Sequence, residues 1–480
     1  MIVQARKPDS QIQVMFSSTF NTARFYVLLE AINILGPINC RSYWSSSQIR
    51  RDDAHPSCSI QPMSSLSRIH VDLPPEIWLE IFRYATYVSG TISRPDPFVP
   101  DCISNNVMGT NTPSSSMRMK CDLVLVCRSW REIATELLYE HVAIRSPWRG
   151  GLILATLQGV PQDRSPHYGW WTRRVEVHVN SRSRKFIPFL ELVFRILQYF
   201  PNVKSFSGIW LSSIPQGFLD AISRLYGPTL EGLSWKERSM SVENTSIKPE
   251  FLASFRDLRV LDVRHIIESY DSYATSRPTL PQVRELLLSA STHSLSLASA
   301  LDLPAFCRLS LDLTVTVPNE TRSVNALTRF LNSHGRQIQQ VEFISSPGSR
   351  WVVDARMFLS GECPNLLDLV FQESHPLLVP LPEPHLSLRR IGLRGVVADQ
   401  LYPNAASQIT NHLKAFTTAT FPSLEVVRTV SFLVDASTDR LARDVFIWWA
   451  ERFERDGIDF QDGEGVHWMY SDAPPSDKTD

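Results

Sequence analysis

Ten short apolar runs recur between residues 175 and 430, and their near-constant spacing constrains the fold more than any other feature of this 480-residue chain. Successive runs begin 22 to 36 residues apart, with a mean of about 28 residues. Most runs carry apolar residues at their first and fourth positions, which fits short strands with one buried face. The runs begin at Val175, Val203, Leu230, Leu258, Val283, Phe306, Ile338, Leu366, Leu388 and Leu424.

Prolines and amphipathic segments occupy the gaps between these runs. A proline two residues before a strand ends the preceding helix and favours an extended backbone. Such prolines are Pro201, Pro228, Pro281, Pro364 and Pro422. Helical patterns begin at Phe189, Phe218, Asn325 and Ile409. Strand, loop and helix repeated at this period predict an α/β solenoid, with a curved parallel sheet and outer helices.

The repeats resemble leucine-rich repeats, whose period is 20–29 residues. Most lack the usual asparagine or cysteine after the strand, so they are degenerate. The alternative is an irregular α/β domain in which the spacing arises by chance. Ten occurrences favour the solenoid, which we expect over residues 170–457. We expect the acidic segment 458–480 to be a flexible tail.

The segment 438–457 is expected to be a helix that caps the last repeat, as solenoids require. Its apolar face would consist of Leu441, Val445, Trp448, Trp449 and Phe453. We interpret the two tryptophans as cap packing rather than a binding site. Likewise, we interpret the aromatic segment 167–171 as packing between the solenoid and the preceding helices rather than a contact site.

Two helical blocks lie within residues 71–144, before the repeats. The first has two apolar stripes, Leu73, Ile77 and Ile81, and beside it Trp78, Phe82 and Ala85. The second keeps helical spacing at Leu123, Val126, Trp130, Ile133, Leu137 and Leu138. Two stripes indicate burial on two sides. Spacing alone favours the alternative, a helical hairpin that only completes its own core.

The order Leu-Pro-Pro-Glu-Ile from Leu73, then Ile81-Phe82, Val126-Cys127 and Trp130, resembles the F-box. In that family a small three-helix unit docks on a Skp-family adaptor. The resemblance implies adaptor contacts at Leu73, Pro74, Glu76, Ile77, Ile81, Phe82, Val126, Cys127 and Trp130. The family linker is much shorter than segment 87–117, which is rich in Ser, Thr, Asn and Pro. We expect this segment to be a loop insert, which costs little closure entropy.

Composition excludes several classes of partner. The net charge of −1 favours neither nucleic acid nor an anionic membrane. No apolar segment reaches the roughly 20 residues that a membrane helix needs. Seven cysteines without CxxC spacing indicate a reducing compartment, the cytoplasm or the nucleus. Residues 1–68 show no sustained period, and we expect them to be largely disordered.

The sequence contains no GxSxG, P-loop, GxGxxG or HExxH motif, and its histidines and cysteines lack metal-ligand spacing. We therefore expect no catalysis, no metal and no cofactor in this chain. A cryptic enzyme would require a deep pocket with converging ionisable groups. Candidate target contacts near the strands are Glu176, Glu231, Arg259, Asp262, Arg284, Glu285, Arg389 and Arg390.

The F-box-like module followed by leucine-rich-like repeats resembles, and so implies, a substrate-recognition subunit of an SCF-type E3 ubiquitin ligase. The F-box-like module would dock on a Skp-family adaptor and, through it, on cullin and RING subunits. The repeats would bind a target protein that the sequence does not identify. This organisation resembles the expanded F-box families of mushroom-forming fungi. The alternative is a protein-interaction scaffold that works independently of a ligase.

Overall fold

The computed structural model describes residues 73–88, 97–98, 112–159, 167–179, 186–212, 214–237, 247, 249–266, 277–314, 320–345, 353–405, 407–430, 432–434 and 440–469. The predictions for residues 1–68, for most of 87–117 and for 470–480 lie outside this set. The chain divides into two compact units. The first comprises Met1–Ala85 and Cys121–Ala134, and the second comprises Thr86–Lys120 and Thr135–Asp480.

In the described part of the second unit, twelve strands form one parallel sheet in sequence order. They are β1 His141–Ile144, β2 Arg174–Val179, β3 Ser205–Trp210, β4 Gly232–Glu237, β5 Val260–His265, β6 Glu285–Ser289, β7 Arg308–Asp312, β8 Gln340–Ile344, β9 Asp368–Gln372, β10 Arg390–Arg394, β11 Val426–Thr429 and β12 Asp459–Gln461. The sheet is curved and open, with β1 and β12 at its two ends. The ten predicted strands are confirmed as β2 to β11, and the predicted solenoid with them.

Helices occupy most of the connections. They are α1 Pro75–Ala85, α2 Pro113–Val126, α3 Arg128–Glu140, α4 Pro147–Gln158, α5 Phe186–Leu197, α6 Gln216–Tyr226, α7 Pro249–Leu252, α8 Thr292–Ser299, α9 Glu320–His334, α10 Arg356–Leu359, α11 Gln408–Ala415 and α12 Arg440–Glu454. Short 3-10 turns cover Tyr168–Trp171, Gly335–Gln337 and Ala398–Gln400. The four helical patterns predicted between strands correspond to α5, α6, α9 and α11.

A single register row explains how the sheet holds its core. Alternate strand residues point to opposite faces, and the first core-facing residue of each strand is apolar and buried. Because the strands pair in parallel, these residues stack across the sheet. The row is Val142, Val175, Phe206, Leu233, Leu261, Leu286, Leu309, Val341, Leu369, Ile391, Val427 and Phe460.

The expectation of a flexible tail from residue 458 is wrong at its start. Asp459–Gln461 forms β12, which pairs in parallel with β11. Phe460 is fully buried and stacks on Phe453 with 5.3 Å between ring centroids. The Asp462 carboxylate accepts hydrogen bonds from two backbone amides and from the Trp468 indole at 2.9 Å. Buried aromatic surface therefore extends the sheet by one strand beyond the predicted repeats.

The insert expected over residues 87–117 is also shorter than predicted, because α2 begins at Pro113. Thr112 caps this helix, since its hydroxyl accepts a hydrogen bond from the Ser115 amide at 3.1 Å. Proline suits the first helical position because its missing amide has no partner there. Within the insert, Phe98 is fully buried in the second unit.

The capping helix is present as α12, but its predicted apolar face is only partly buried. Trp449 and Phe453 are buried, and the Trp449 indole donates a hydrogen bond to the Leu401 carbonyl at 2.6 Å. By contrast, Trp448 is 39% exposed and Leu441 is 65% exposed. The prediction that both tryptophans pack in the cap is therefore confirmed for Trp449 alone.

Candidate functional site

The helical unit has an aromatic core. Phe82 of α1 is fully buried, and Trp130 of α3 is 6% exposed. Their ring centroids lie 4.7 Å apart, and the Trp78 ring lies 5.2 Å from Trp130. Edge and tilted arrangements at these distances favour aromatic pairs. The second predicted stripe of α1 therefore faces inward, against α3.

The unit also carries large apolar side chains on its surface. Ile77 is 47% exposed and Val126 is 41% exposed, and Pro74 and Glu76 are exposed beside Ile77. Tyr84 and Leu125, which the motif comparison missed, are 88% and 72% exposed. Tyr84 lies seven residues after Ile77, so helical periodicity alone places both on one face.

The nine residues predicted to contact an adaptor thus fall into three groups. Pro74, Glu76, Ile77 and Val126 are exposed. Leu73, Ile81 and Cys127 are half-buried. Phe82 and Trp130 are buried within the unit, so their effect on a partner would be indirect, through the positions of α1 and α3.

Cys127 has a local structural role at the junction of α2 and α3. Its Sγ accepts a hydrogen bond from the Trp130 amide at 3.4 Å, in the position of a helix N-cap. The Arg131 guanidinium donates to the Val124 carbonyl across the same junction at 3.2 Å. These contacts hold the turn that presents Val126.

The second unit offers a different surface, the face of the sheet opposite the core row. We call it the polar face. Its middle row is Ala143, Glu176, Ser207, Ser234, Asp262, Leu287, Ser310, Glu342, Val370, Gly392, Arg428 and Gln461. Of the predicted target contacts, Glu176, Asp262, Glu285 and Arg390 lie in strands on this face. The other four each precede a strand by one residue: Glu231, Arg259, Arg284 and Arg389.

Charges on the polar face are paired both within and across strands. The Arg264 guanidinium bonds both oxygens of Asp262 at 2.9 Å and lies 3.6 Å from Asp312. Burial alone would raise the pKa of Asp262, but the hydrogen bonds and charge of Arg264 outweigh it and lower that pKa. Asp262 therefore stays ionised near neutral pH, and the positive charge of Arg264 balances its negative charge.

A second group surrounds Glu176 at the β1–β2 end of the sheet. Arg174 bonds its carboxylate at 2.7 Å, and the imidazoles of His141 and His178 lie at 3.2 and 3.7 Å. Burial opposes ionisation, but the adjacent His141 and His178 rings and the Arg174 charge hold the pKa of Glu176 far below its ordinary value. Glu176 is thus an anion that Arg174 and two imidazole rings face.

Further along the sheet, Arg394 of β10 reaches across β9 to the Glu342 carboxylate at 2.8 Å. Beside it, Arg390 forms two bonds to the Asp368 carboxylate, at 2.7 and 2.6 Å. Both pairs are charge-assisted hydrogen bonds, which are stronger than neutral ones. In the described ranges no group of three or more His, Cys, Asp or Glu side chains could hold a metal ion.

Comparisons with known proteins add little to this description. The chain matches no protein-family profile and no curated protein. Among solved structures it is similar to a chain of the crystal structure of the Rad7 and Elc1 complex in yeast, at 13% identity. The alignment covers 70% of this chain and 86% of that chain, with a TM-score of 0.28. Within the described residues, no helix is long and apolar enough to cross a membrane.

Proposed function

We propose that this chain is a non-catalytic substrate-recognition subunit of an SCF-type ubiquitin ligase. Its helical unit docks on a Skp-family adaptor, and through the adaptor on cullin and RING subunits. Its solenoid binds a target protein with the polar face of the sheet. The chain performs no bond chemistry itself and acts by holding the target near the transfer site, which raises its effective concentration.

The observation that carries this proposal is the exposure of Ile77 and Val126 in a unit whose aromatic core is already formed by Phe82 and Trp130. If the blocks only completed their own core, the motif residues Ile77 and Val126 would be covered. Large apolar side chains left exposed on a small unit support an interaction site. The F-box resemblance assigns those same positions to adaptor contact.

The test measures binding of a purified Skp-family adaptor to the full chain by isothermal titration calorimetry. We expect Ile77→Ala and Val126→Ala each to weaken binding roughly tenfold, about 1–2 kcal/mol, as truncation of a buried interface side chain does. Ile77→Asp and Val126→Asp together should abolish detectable binding, because each places a charge in an apolar contact.

Leu152→Asp is the matched control, since Leu152 is 51% exposed on α4 in the second unit. It should bind the adaptor like the unmodified chain. Alanine at Phe82 or Trp130 is unsuitable as a primary test, because either change removes core packing and disturbs the fold. Adaptor binding that survives the double aspartate substitution would refute the docking surface at Ile77 and Val126. An unmodified chain that binds no adaptor would exclude the ligase function and leave a ligase-independent scaffold as the alternative.

A further inference from the structure

The polar face carries apolar residues on β9 and next to β11, and the chain's own Phe98 lies there. Phe98 is fully buried in a cluster with Val370 and Val430. Gly392 forms the floor between them. A Cβ at Gly392 would lie 2.8 Å from Val370, 2.9 Å from Val430 and 3.1 Å from the Phe98 ring. The missing side chain therefore creates the space that the aromatic ring fills.

Arginine side chains surround the same ring. The guanidinium carbon of Arg390 lies 4.4 Å from the Phe98 ring centroid, and that of Arg428 lies 5.8 Å away. Both distances fall within the range of cation–π attraction. Arg394 donates a hydrogen bond to the Pro97 carbonyl at 3.0 Å. The site thus holds an aromatic ring and the backbone carbonyl of the residue before it.

We call this site the aromatic pocket, defined by Val370, Arg390, Gly392, Arg394, Arg428 and Val430. Neighbouring side chains hold its arginines in place. Asp368 bonds Arg390, Glu342 bonds Arg394, and Gln461 bonds Arg428 at 3.0 Å. Because these partners belong to β8, β9 and β12, the rigid sheet positions the pocket, as a binding site requires.

We propose that the aromatic pocket is the target-binding subsite of the solenoid. It takes a peptide segment with an aromatic side chain whose preceding carbonyl faces Arg394. In the free chain, the chain's own Pro97–Phe98 occupies the pocket. A target segment with an aromatic side chain displaces it. This inference rests on the proposed function, since it names the subsite by which the solenoid would recognise its target.

The Pro97–Phe98 segment should compete with a free peptide for the pocket and lower the measured affinity of that peptide. A tethered segment has an effective concentration of about 1 mM. For a free peptide with a Kd of about 0.1 mM, such a competitor weakens binding about tenfold. Removing the Phe98 ring should restore the full affinity.

The experiment uses a fluorescein-labelled peptide of residues 92–100 of this chain and measures its anisotropy on titration with full-length protein. Phe98→Ala protein should bind the peptide about tenfold more tightly than the unmodified protein does. The same peptide carrying alanine in place of its phenylalanine should not bind. Adding Arg390→Ala to Phe98→Ala should weaken binding at least tenfold.

Arg389→Ala in the Phe98→Ala background is the matched control, because Arg389 is the preceding residue and its side chain is 59% exposed at the strand start. It should leave the peptide affinity unchanged. If circular dichroism shows that Phe98→Ala does not fold, Phe98→Leu replaces it, and a smaller affinity gain in the same direction is expected, because leucine loses the cation–π contacts but keeps part of the apolar packing.

Equal peptide affinity in the unmodified and Phe98-substituted proteins, or binding of the alanine peptide, would overturn the pocket assignment. Adaptor binding is measured separately and does not involve the pocket. Loss of peptide binding with intact adaptor binding therefore refutes this inference alone. The converse result refutes the ligase function and leaves the pocket in place.

Discussion

His412 of α11 makes the stability of the solenoid depend on pH. Its side chain is completely buried, and its Nε2 lies 2.9 Å from the His375 carbonyl. The Phe371 ring packs against it, with 5.2 Å between centroids. Burial in these surroundings lowers the pKa of His412 to about 4, against its ordinary 6.5.

The direction of the effect follows from this shift. The native state favours the neutral ring of His412, whereas the unfolded chain protonates it below pH 6.5. The stabilisation is therefore complete above pH 6.5 and is lost as the pH falls toward 4. With pKa values of 6.5 and about 4, the free energy of unfolding decreases by about 2 kcal/mol between pH 7.5 and pH 5 from this residue alone.

The perturbation that isolates the effect is His412→Phe, which keeps an aromatic ring without the titrating group. The His375 carbonyl remains satisfied, because the Gln408 side chain also donates to it. Urea unfolding followed by fluorescence at pH 7.5 and pH 5 gives the comparison. The pH-dependent loss should be about 2 kcal/mol smaller in the variant. The reasoning fails if both proteins lose the same stability within about 0.5 kcal/mol.

Two further pairs of substitutions test packing. Trp449→Ala should lower the free energy of unfolding by about 3–5 kcal/mol, whereas alanine at the half-exposed Trp448 should change it by less than about 1 kcal/mol. If both alanine substitutions lowered the melting temperature equally, the difference in burial between Trp449 and Trp448 would be contradicted. Gly151→Ala, on an open face of α4, should stabilise by about 0.5–1 kcal/mol. Gly335→Ala should destabilise, because its Cβ would lie 2.4 Å from the Glu362 carbonyl oxygen. Thermal unfolding in which both glycine variants shift in the same direction would refute this.

The sequence was sufficient for the regular part of the solenoid. Each predicted strand follows a local pattern of apolar spacing, and in half of them also a preceding proline, so neighbouring residues alone define it. Two strands escaped this pattern because of the segments in which they lie. β1 lies at the end of a helical block, and β12 lies in an acidic segment where Phe460 is the only strongly apolar strand residue.

The candidate sites depend on contacts that no local pattern contains. The sequence shows two stripes on α1, but only the partner rings on α3 decide that Phe82 faces inward and Ile77 outward. The aromatic pocket is still less accessible to sequence reasoning. Arg394 and Pro97 are 297 residues apart, and Gly392 has no motif that marks it as a pocket floor.

The arginine–carboxylate pairs on the polar face also affect the order in which the strands of the solenoid should unfold. In a linear array each repeat touches only its neighbours, so unfolding can spread one repeat at a time from either end. Arg394 bonds Glu342 two strands away, and Arg264 reaches Asp312 two strands away. Each of these arginines fastens three consecutive strands together. Under mechanical pulling from the C-terminus, the strands between β5 and β10 should therefore resist as blocks, while β11 and β12 peel off first.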